Sequence, residues 1–129
     1  MMRRALTCII CPNGCYVEAE VQDRGGQLKV LEVTGALCKK GEKWVRQELV
    51  QPLRTISSSV LVEGGEFPLV SVRTDSPIPL ESVFRVMEEI KKTRVHAPVE
   101  IGQVILPNPA GTSCNIIATR MVPPNSHRA

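Results

Sequence analysis

Four cysteines in the first third of the chain constrain its fold more than any other sequence feature. Three of them stand in the run Cys8-Ile-Ile-Cys11-Pro-Asn-Gly-Cys15, and Cys38 follows after 22 further residues. Three close thiolates and one remote thiolate can each bind one iron of a cubane, which requires soft, deprotonated sulfur ligands. The spacing therefore predicts a [4Fe-4S] cluster held by these four residues, and the chain must fold back between Cys15 and Cys38.

Residues beside the cysteines suit such a centre. Gly14 lets the backbone approach a cluster closely, and Lys39 and Lys40 would offset part of the negative charge of four thiolates. We therefore treat Gly14 and Lys40 as candidate cofactor-binding residues. The candidate metal ligands are Cys8, Cys11, Cys15 and Cys38, which we call the cysteine quartet.

Zinc is the main alternative occupant, because four cysteines also form a closed tetrahedral site that stabilises a small fold. Zinc ribbons usually present two C-x₂-C pairs, whereas here three cysteines precede a single remote one, which favours iron–sulfur. A third interpretation is a thiol–disulfide oxidoreductase acting through Cys8 and Cys11. It ranks last because these positions lack the helix N-terminus and βαβ context typical of such thiols.

The remaining candidate ligands are isolated in the sequence. Cys114 has no partner at ligand spacing, and we expect a buried structural thiol there. His96 lies in a polar connection and His127 in a proline-led tail, so we expect both on the surface and assign them no function. An odd number of cysteines also argues against complete disulfide pairing.

Composition narrows the classes of protein that the chain can belong to. With 129 residues, 43% of them hydrophobic and 22% charged, it should fold as one globular protein. A net charge of +3 and only four aromatic residues make nucleic acid a poor candidate partner. No segment approaches the roughly 20 apolar residues that cross a bilayer, and no secretory signal is evident, so we expect a cytoplasmic protein without a membrane span.

The sequence offers no support for independent catalysis. It contains no P-loop, no dinucleotide-binding G-x-G-x-x-G after a strand, no G-x-S-x-G and no H-E-x-x-H. Whether the chain is an enzyme stays open, and a non-catalytic subunit or accessory protein of an oxidoreductase is the favoured interpretation.

The hydrophobic pattern predicts an α+β fold with a small cysteine-rich lobe over residues 1–50. Residues 16–21 and 28–33 alternate apolar and polar side chains around a Gly-rich turn, which is typical of a β-hairpin. This hairpin would bring Cys38 back towards Cys15. A short helix is expected over residues 42–50.

A second α+β lobe is expected over residues 51–122, followed by a loose tail over residues 123–129. It should contain a hairpin of residues 56–62 and 67–72 and C-terminal strands over residues 104–106 and 115–122. An amphipathic helix over residues 79–92 should bury one apolar face in the core. That face consists of Leu80, Val83, Phe84, Met87 and Ile90.

The cysteine-rich segment resembles the N-terminal [4Fe-4S] segment of molybdopterin oxidoreductases such as formate dehydrogenases and nitrate reductases. The resemblance rests on three close cysteines, a hairpin, and a glycine before C-x-K-G, here Gly35, Cys38, Lys40 and Gly41. In those enzymes the lysine equivalent to Lys40 lies between cluster and pterin on the electron path. The large pterin-binding domains of those enzymes have no counterpart here.

Over nearly its full length the chain resembles a family of small uncharacterised bacterial and archaeal proteins described by their C-x-x-C pairs. Members of that family tend to accompany FAD-dependent oxidoreductases of the anaerobic glycerol-3-phosphate dehydrogenase type. The resemblance implies an accessory or electron-transfer role beside a flavoprotein. It rests on residues 8–15, 35–42, 77–79, 97–99 and 118–120.

Overall fold

The computed structural model describes residues 2–126, which form two compact units divided between Leu53 and Arg54. Each unit combines β-strands with one α-helix, so the predicted α+β class is confirmed. We call residues 2–53 the N-terminal unit and residues 54–126 the C-terminal unit.

The N-terminal unit is a three-stranded antiparallel sheet with a helix packed against its third strand. Its elements are β1 (Met2–Thr7), β2 (Tyr16–Arg24), β3 (Gln27–Thr34) and α1 (Lys39–Val50), and the division between the units falls within a two-residue strand, β4 (Leu53–Arg54). The sheet order is β1-β2-β3. The predicted hairpin is present: Gly25 and Gly26 form its turn at φ of 65° and 89°, where glycine carries no steric penalty.

Apolar and polar side chains alternate along β2, so one face of the strand is buried and the other is accessible to solvent. Val17, Ala19 and Val21 are almost fully buried and pack with Val45 of α1. Successive side chains of a strand point to opposite faces, so the glutamates between them lie on the other side. There the Arg3 guanidinium contacts the carboxylates of Glu18 and Glu20 at 3.2 and 3.5 Å.

The C-terminal unit is built on a five-stranded sheet. In their order across the sheet, the strands are β8 (Arg94–His96), β5 (Ser57–Glu63), β6 (Leu69–Thr74), β10 (Asn115–Ala118) and β9 (Val104–Pro107). Neighbouring strands are antiparallel except β5 and β8, which run parallel. Short 3-10 helices occupy Leu80–Ser82 and Pro109–Gly111. The remaining elements are the short strand β7 (Ile78–Pro79) and helix α2 (Val83–Lys92).

One face of this sheet and helix α2 enclose a larger apolar core than that of the N-terminal unit. Branched side chains from β5, β6 and β10, including Val60, Val70 and Ile116, pack against Val86 and Ile90 of α2. The predicted hairpin of β5 and β6 is confirmed, with Leu61 opposite Leu69.

Four details of the helices and the first strand differ from expectation. Phe84 was assigned to the buried face of α2 but is 84% exposed, whereas Val86 is fully buried there. Leu80 lies in the 3-10 turn before α2 and is also exposed. Helix α1 begins at Lys39, three residues earlier than expected, and strand β1 was not predicted.

The last segment also differs from expectation. Strand β10 ends at Ala118, and Val122 pairs separately with Val99 through two backbone hydrogen bonds of 2.9 Å. The expected loose tail is held at its start, because the Glu66 N–H donates to Pro123 O and the Asn125 N–H to Gly64 O. The rest of the predicted tail, residues 127–129, lies outside the described residues.

Candidate metal centre

The topology of the N-terminal unit places the whole cysteine quartet at one end of its sheet. Strand β1 ends at Thr7, the loop of residues 8–15 follows, and β2 begins at Tyr16 opposite Thr7. Strand β3 runs antiparallel to β2, so it ends near where β2 begins. Cys38 follows β3 by four residues and therefore returns to the end that carries the other three cysteines.

A backbone hydrogen bond closes the base of the three-cysteine loop. The Cys8 N–H donates to Cys15 O at 2.8 Å, which extends the β1–β2 pairing by one position. Within the loop Gly14 has φ of +58°, a conformation that favours glycine. Cys8 is 6% exposed, Cys15 is half-buried and both pack in the apolar cluster of this unit, whereas Cys11 is exposed.

A close backbone contact at Gly35 brings the segment after β3 against the start of β2. Gly35 has φ of +94°, and a Cβ at this position would collide with the carbonyl oxygen of Tyr16. Only glycine allows this contact without a shift of one strand. The absence of a side chain at Gly35 thus lets the segment leading to Cys38 cross close to the residue that follows Cys15.

Cys38 is the N-cap of helix α1. Its backbone is extended, at φ −147° and ψ 162°, and its Sγ accepts a hydrogen bond of 3.4 Å from the N–H of Gly41. The Glu42 N–H donates to the Cys38 carbonyl at 3.2 Å, which begins the helical bonding. The sulfur therefore sits at the positive end of the helix, where negative charge is favoured.

Gly41 lies between two of the four sulfur atoms. A Cβ built on this buried glycine would stand 3.2 Å from Cys8 Sγ and 3.8 Å from Cys38 Sγ. Both sulfurs thus lie within 4 Å of one point, although the two cysteines are far apart in sequence. The missing side chain of Gly41 therefore leaves space beside both sulfur atoms.

The structure brings together part of the quartet and leaves one member apart. Within residues 2–126, no three side chains of histidine, cysteine, aspartate or glutamate are arranged as a ready metal site. Cys8 and Cys38 meet at Gly41, and Cys15 is bound to Cys8 through its backbone. Cys11 is exposed on the loop, away from the apolar cluster in which Cys8 and Cys15 pack.

Two lysines and one tryptophan flank this end of the unit. Lys39 and Lys40 are exposed in the first turn of α1, directly after Cys38. Trp44 is half-buried and packs against the apolar cluster that includes Cys8.

The opposite end of the N-terminal unit carries a groove of about 450 Å³ that contains no cysteine. Its basic residues are Arg24, Lys29 and Arg46, and Arg46 is engaged with the Glu42 carboxylate at 3.1 Å. The groove therefore lies away from the candidate metal centre and offers it no ligand.

The isolated residues lie as expected where the structure describes them. Cys114 is 1% exposed, and its sulfur lies 3.3 Å from Thr112 Oγ1. His96 is on the surface, with Nε2 3.2 Å from a carboxylate oxygen of Glu63. His127 lies outside the described residues.

Sequence reasoning missed two features of this site. Gly41 was noted only as part of C-x-K-G, and its position between two sulfurs depends on the paths of β3 and α1. Cys38 was not expected to cap a helix, because the common N-cap residues are serine, threonine, aspartate and asparagine. The lysines and the glycine directly after Cys38 gave no signal either, because basic residues are unfavourable in a first helical turn and glycine is a poor helix former.

The fold and this site define a class of small two-unit α+β proteins with a cysteine-rich end on the N-terminal unit. The chain belongs to the family described as protein of unknown function DUF1667, whose sequence model matches residues 39–120. The match begins directly after Cys38, so the cysteine quartet lies outside it.

Other comparisons concern the fold alone. The NMR structure of the Clostridium perfringens protein CPE0013 is similar with a TM-score of 0.52 and 22% sequence identity. The similarity covers 60% of this chain and 92% of that one. No curated protein sequence matches the chain significantly. Among the described helices, none has the length and apolar character needed to cross a bilayer.

Proposed function

We propose that the chain is a [4Fe-4S] accessory or electron-transfer protein that works with an FAD-dependent oxidoreductase and has no catalytic site of its own. The observation that carries this proposal is the convergence of Cys8 and Cys38 on Gly41, at the end of the sheet that also bears Cys11 and Cys15. Residues distant in sequence are thereby gathered around a space that the absence of one side chain leaves open.

The residues at this end suit an iron–sulfur group chemically. All four donors are thiols, the ligands that such clusters take from proteins. The Gly41 N–H already donates to Cys38 Sγ, and hydrogen bonds to ligand sulfur tune the potential of such a centre. When bound, the cluster supplies a one-electron redox couple. The chain itself supplies the thiolates, the helix N-terminus and the lysines that balance their charge.

Support for the flavoprotein partner comes from the sequence resemblance. Similarity to small C-x-x-C proteins that accompany FAD-dependent oxidoreductases implies a redox partner, and similarity to the [4Fe-4S] segment of molybdopterin oxidoreductases implies the cluster. Both resemblances support the proposal that the chain lies on an electron path and that another subunit carries out the substrate chemistry.

A zinc-stabilised structural or regulatory module is the second candidate function, and the small core of the N-terminal unit favours it. Only five buried residues form that core, and Cys8 is one of them. Units this small commonly depend on a structural metal for stability. In this alternative the metal stabilises the N-terminal unit, and the C-terminal unit binds a partner protein.

Metal analysis of protein prepared without oxygen separates the two candidates. The proposal expects brown protein with about four iron and four sulfide per chain. Stoichiometric zinc without sulfide, in protein produced with ample iron, would favour the structural module. Oxygen must be excluded throughout, because air destroys exposed clusters and frees the thiolates to bind zinc or oxidise.

Lys40 tests the electron-transfer part of the proposal. If its ammonium group lies beside the cluster, Lys40→Ala should lower the reduction potential, because reduction adds a negative charge that the lysine stabilises. Protein-film voltammetry of wild type and variant measures the difference. Lys29→Ala, at the far end of the same unit, removes an equal charge and should leave the potential unchanged. An unchanged potential in Lys40→Ala removes the tuning role.

A further inference from the structure

Large apolar side chains are exposed beside the cysteine quartet. Ile9 is 73% exposed, Ile10 46% and Leu37 79%. Ile9 and Ile10 lie between Cys8 and Cys11, and Leu37 directly precedes Cys38. Exposed apolar residues scattered singly need no explanation, but a group at the site where the molecule carries its reactive thiols is typical of a contact surface.

Unpaired positive charge lies at the same end. Lys39, Lys40 and Lys43 are exposed on the first half of α1, and within residues 2–126 none of them forms an ion pair. The nearest carboxylate on this helix, Glu42, is engaged by Arg46. The lysines therefore leave a positive field beside the exposed apolar group.

We propose that Ile9, Ile10 and Leu37, together with Lys39, Lys40 and Lys43, form a docking face for a protein whose own surface has an apolar centre flanked by carboxylates. Apolar contact at the centre and complementary charge at the rim are the usual anatomy of a protein interface. The proposal rests on the proposed function, since it assigns this surface chemistry to the oxidoreductase partner. Docking at this face would bring the partner's redox group next to the quartet.

An acidic protein suits this face better than an anionic lipid surface does. Interfacial membrane binding commonly combines basic residues with an amphipathic helix whose apolar side faces outward, or with a lipid anchor. The apolar side of α1 faces inward instead, with Val45 fully buried. The exposed apolar residues lie on two loops, next in sequence to Cys8 and Cys38, whose sulfur atoms both approach Gly41.

Binding measurements on the metal-loaded protein test the docking face. The probe is the purified FAD-dependent oxidoreductase of the same organism, titrated by calorimetry at low and high salt with the redox state held fixed. The charge-reversal variant Lys39→Glu/Lys43→Glu should bind about tenfold more weakly at low salt, and the difference should shrink at high salt because ions screen exposed charges. Leu37→Ser should also weaken binding about tenfold, with an unchanged salt dependence.

Arg24→Glu/Lys29→Glu is the matched control, because it reverses two charges at the opposite end of the same unit. It should bind as wild type does. Equal affinity of both double variants, or no binding of the flavoprotein by wild type, overturns the docking face. Binding of wild type to anionic phosphatidylserine vesicles but not to the flavoprotein also overturns it, in favour of a membrane surface.

These outcomes are independent of the metal analysis. A cluster can be present while the flavoprotein binds elsewhere, in which case the docking face fails and the iron–sulfur proposal stands. Conversely, if the chain contains zinc and binds the flavoprotein through this face, the electron-transfer proposal is refuted and the docking-face proposal stands. Metal content of each variant is therefore measured before titration.

Discussion

The two units of this chain differ in what holds them together. In the described part of the C-terminal unit twelve buried residues, most of them in β-strands and α2, form a continuous apolar core. In the N-terminal unit the buried cluster has five residues, and one of them is a cysteine of the quartet. Because small cores rarely stabilise a fold unaided, the N-terminal unit has a physical reason to need a bound metal that the C-terminal unit lacks.

That difference assigns distinct tasks to the two units. The C-terminal unit buries Cys114 as an ordinary apolar side chain at 1% exposure. The N-terminal unit keeps Cys11 and Cys38 exposed, includes Cys8 in its small core and packs the half-buried Cys15 against that core. A thiol in the first environment is a packing group, whereas thiols in the second are available to a ligand.

Loss of a metal ligand should have the largest effect. Cys15→Ser or Cys38→Ser should unfold the N-terminal unit, because metal binding coupled to folding contributes on the order of 10 kcal/mol in small metal-dependent units. Amide hydrogen exchange should become fast in β2 and stay slow in β6. Cys114→Ser is the control and should retain the metal; if it loses as much metal as Cys15→Ser does, the fifth cysteine has been assigned wrongly.

A cavity in the larger core should have the next largest effect. Ile116→Ala removes a fully buried side chain of β10 and should destabilise the C-terminal unit by about 2–5 kcal/mol. Ile101→Ala makes the same chemical change at a site that is 71% exposed and should alter stability by less than about 0.5 kcal/mol. Urea denaturation measures both. Metal loss in Ile116→Ala as severe as in Cys38→Ser would refute the separation of tasks.

Substitution of Gly41 should weaken the retention of bound metal. Alanine at a helix position gains about 1 kcal/mol over glycine, but here its Cβ would lie 3.2 Å from Cys8 Sγ. We expect Gly41→Ala to release metal to a chelator about ten to a hundred times faster than wild type, as changes around metal ligands commonly do. Gln47→Ala, an exposed position near the other end of the same helix, is the control and should release metal as wild type does. Unchanged release from Gly41→Ala would show that the space beside this glycine is not used by the metal centre.

The smallest effect is expected at Phe84, which sequence reasoning placed in the core. Phe84→Ala should change the free energy of unfolding by less than about 0.5 kcal/mol, because the ring is 84% exposed. Val86→Ala on the same helix removes a smaller but fully buried side chain and should cost about 1–2 kcal/mol. Thermal denaturation of the two variants measures the difference. A larger loss of stability in Phe84→Ala than in Val86→Ala would show that Phe84 belongs to the buried face of α2 after all.

Sequence periodicity predicted the elements better than their contacts. The β2–β3 hairpin was predictable because its alternation and its glycine turn agree with each other. Strand β1 was not, since its side chains are mostly exposed and carry little alternation. Phe84 shows that an apolar residue beside a helical stripe contributes to the periodicity without being buried, which depends on what packs against the helix.

The candidate site also has features that the sequence predicts and features that only the fold determines. Its four cysteines are identified by residue type and spacing, which are properties of the sequence. The meeting of Cys8 and Cys38 at Gly41 depends on the direction of α1 as it leaves β3, and on the close approach of Gly35 to Tyr16. These contacts arise from strand register and backbone geometry that no local pattern of side chains specifies.

The position of Cys38 in the chain also determines when the quartet can be completed during synthesis. Cys8, Cys11 and Cys15 leave the ribosome together, but Cys38 is 23 residues later than Cys15. At about 5–20 residues per second, the three early thiols wait roughly 1–5 s for the fourth. Hairpins form in about 1–10 μs, so folding adds almost nothing to that delay. The rate of translation therefore sets how long an incomplete set of thiols is open to oxidation or to a stray metal.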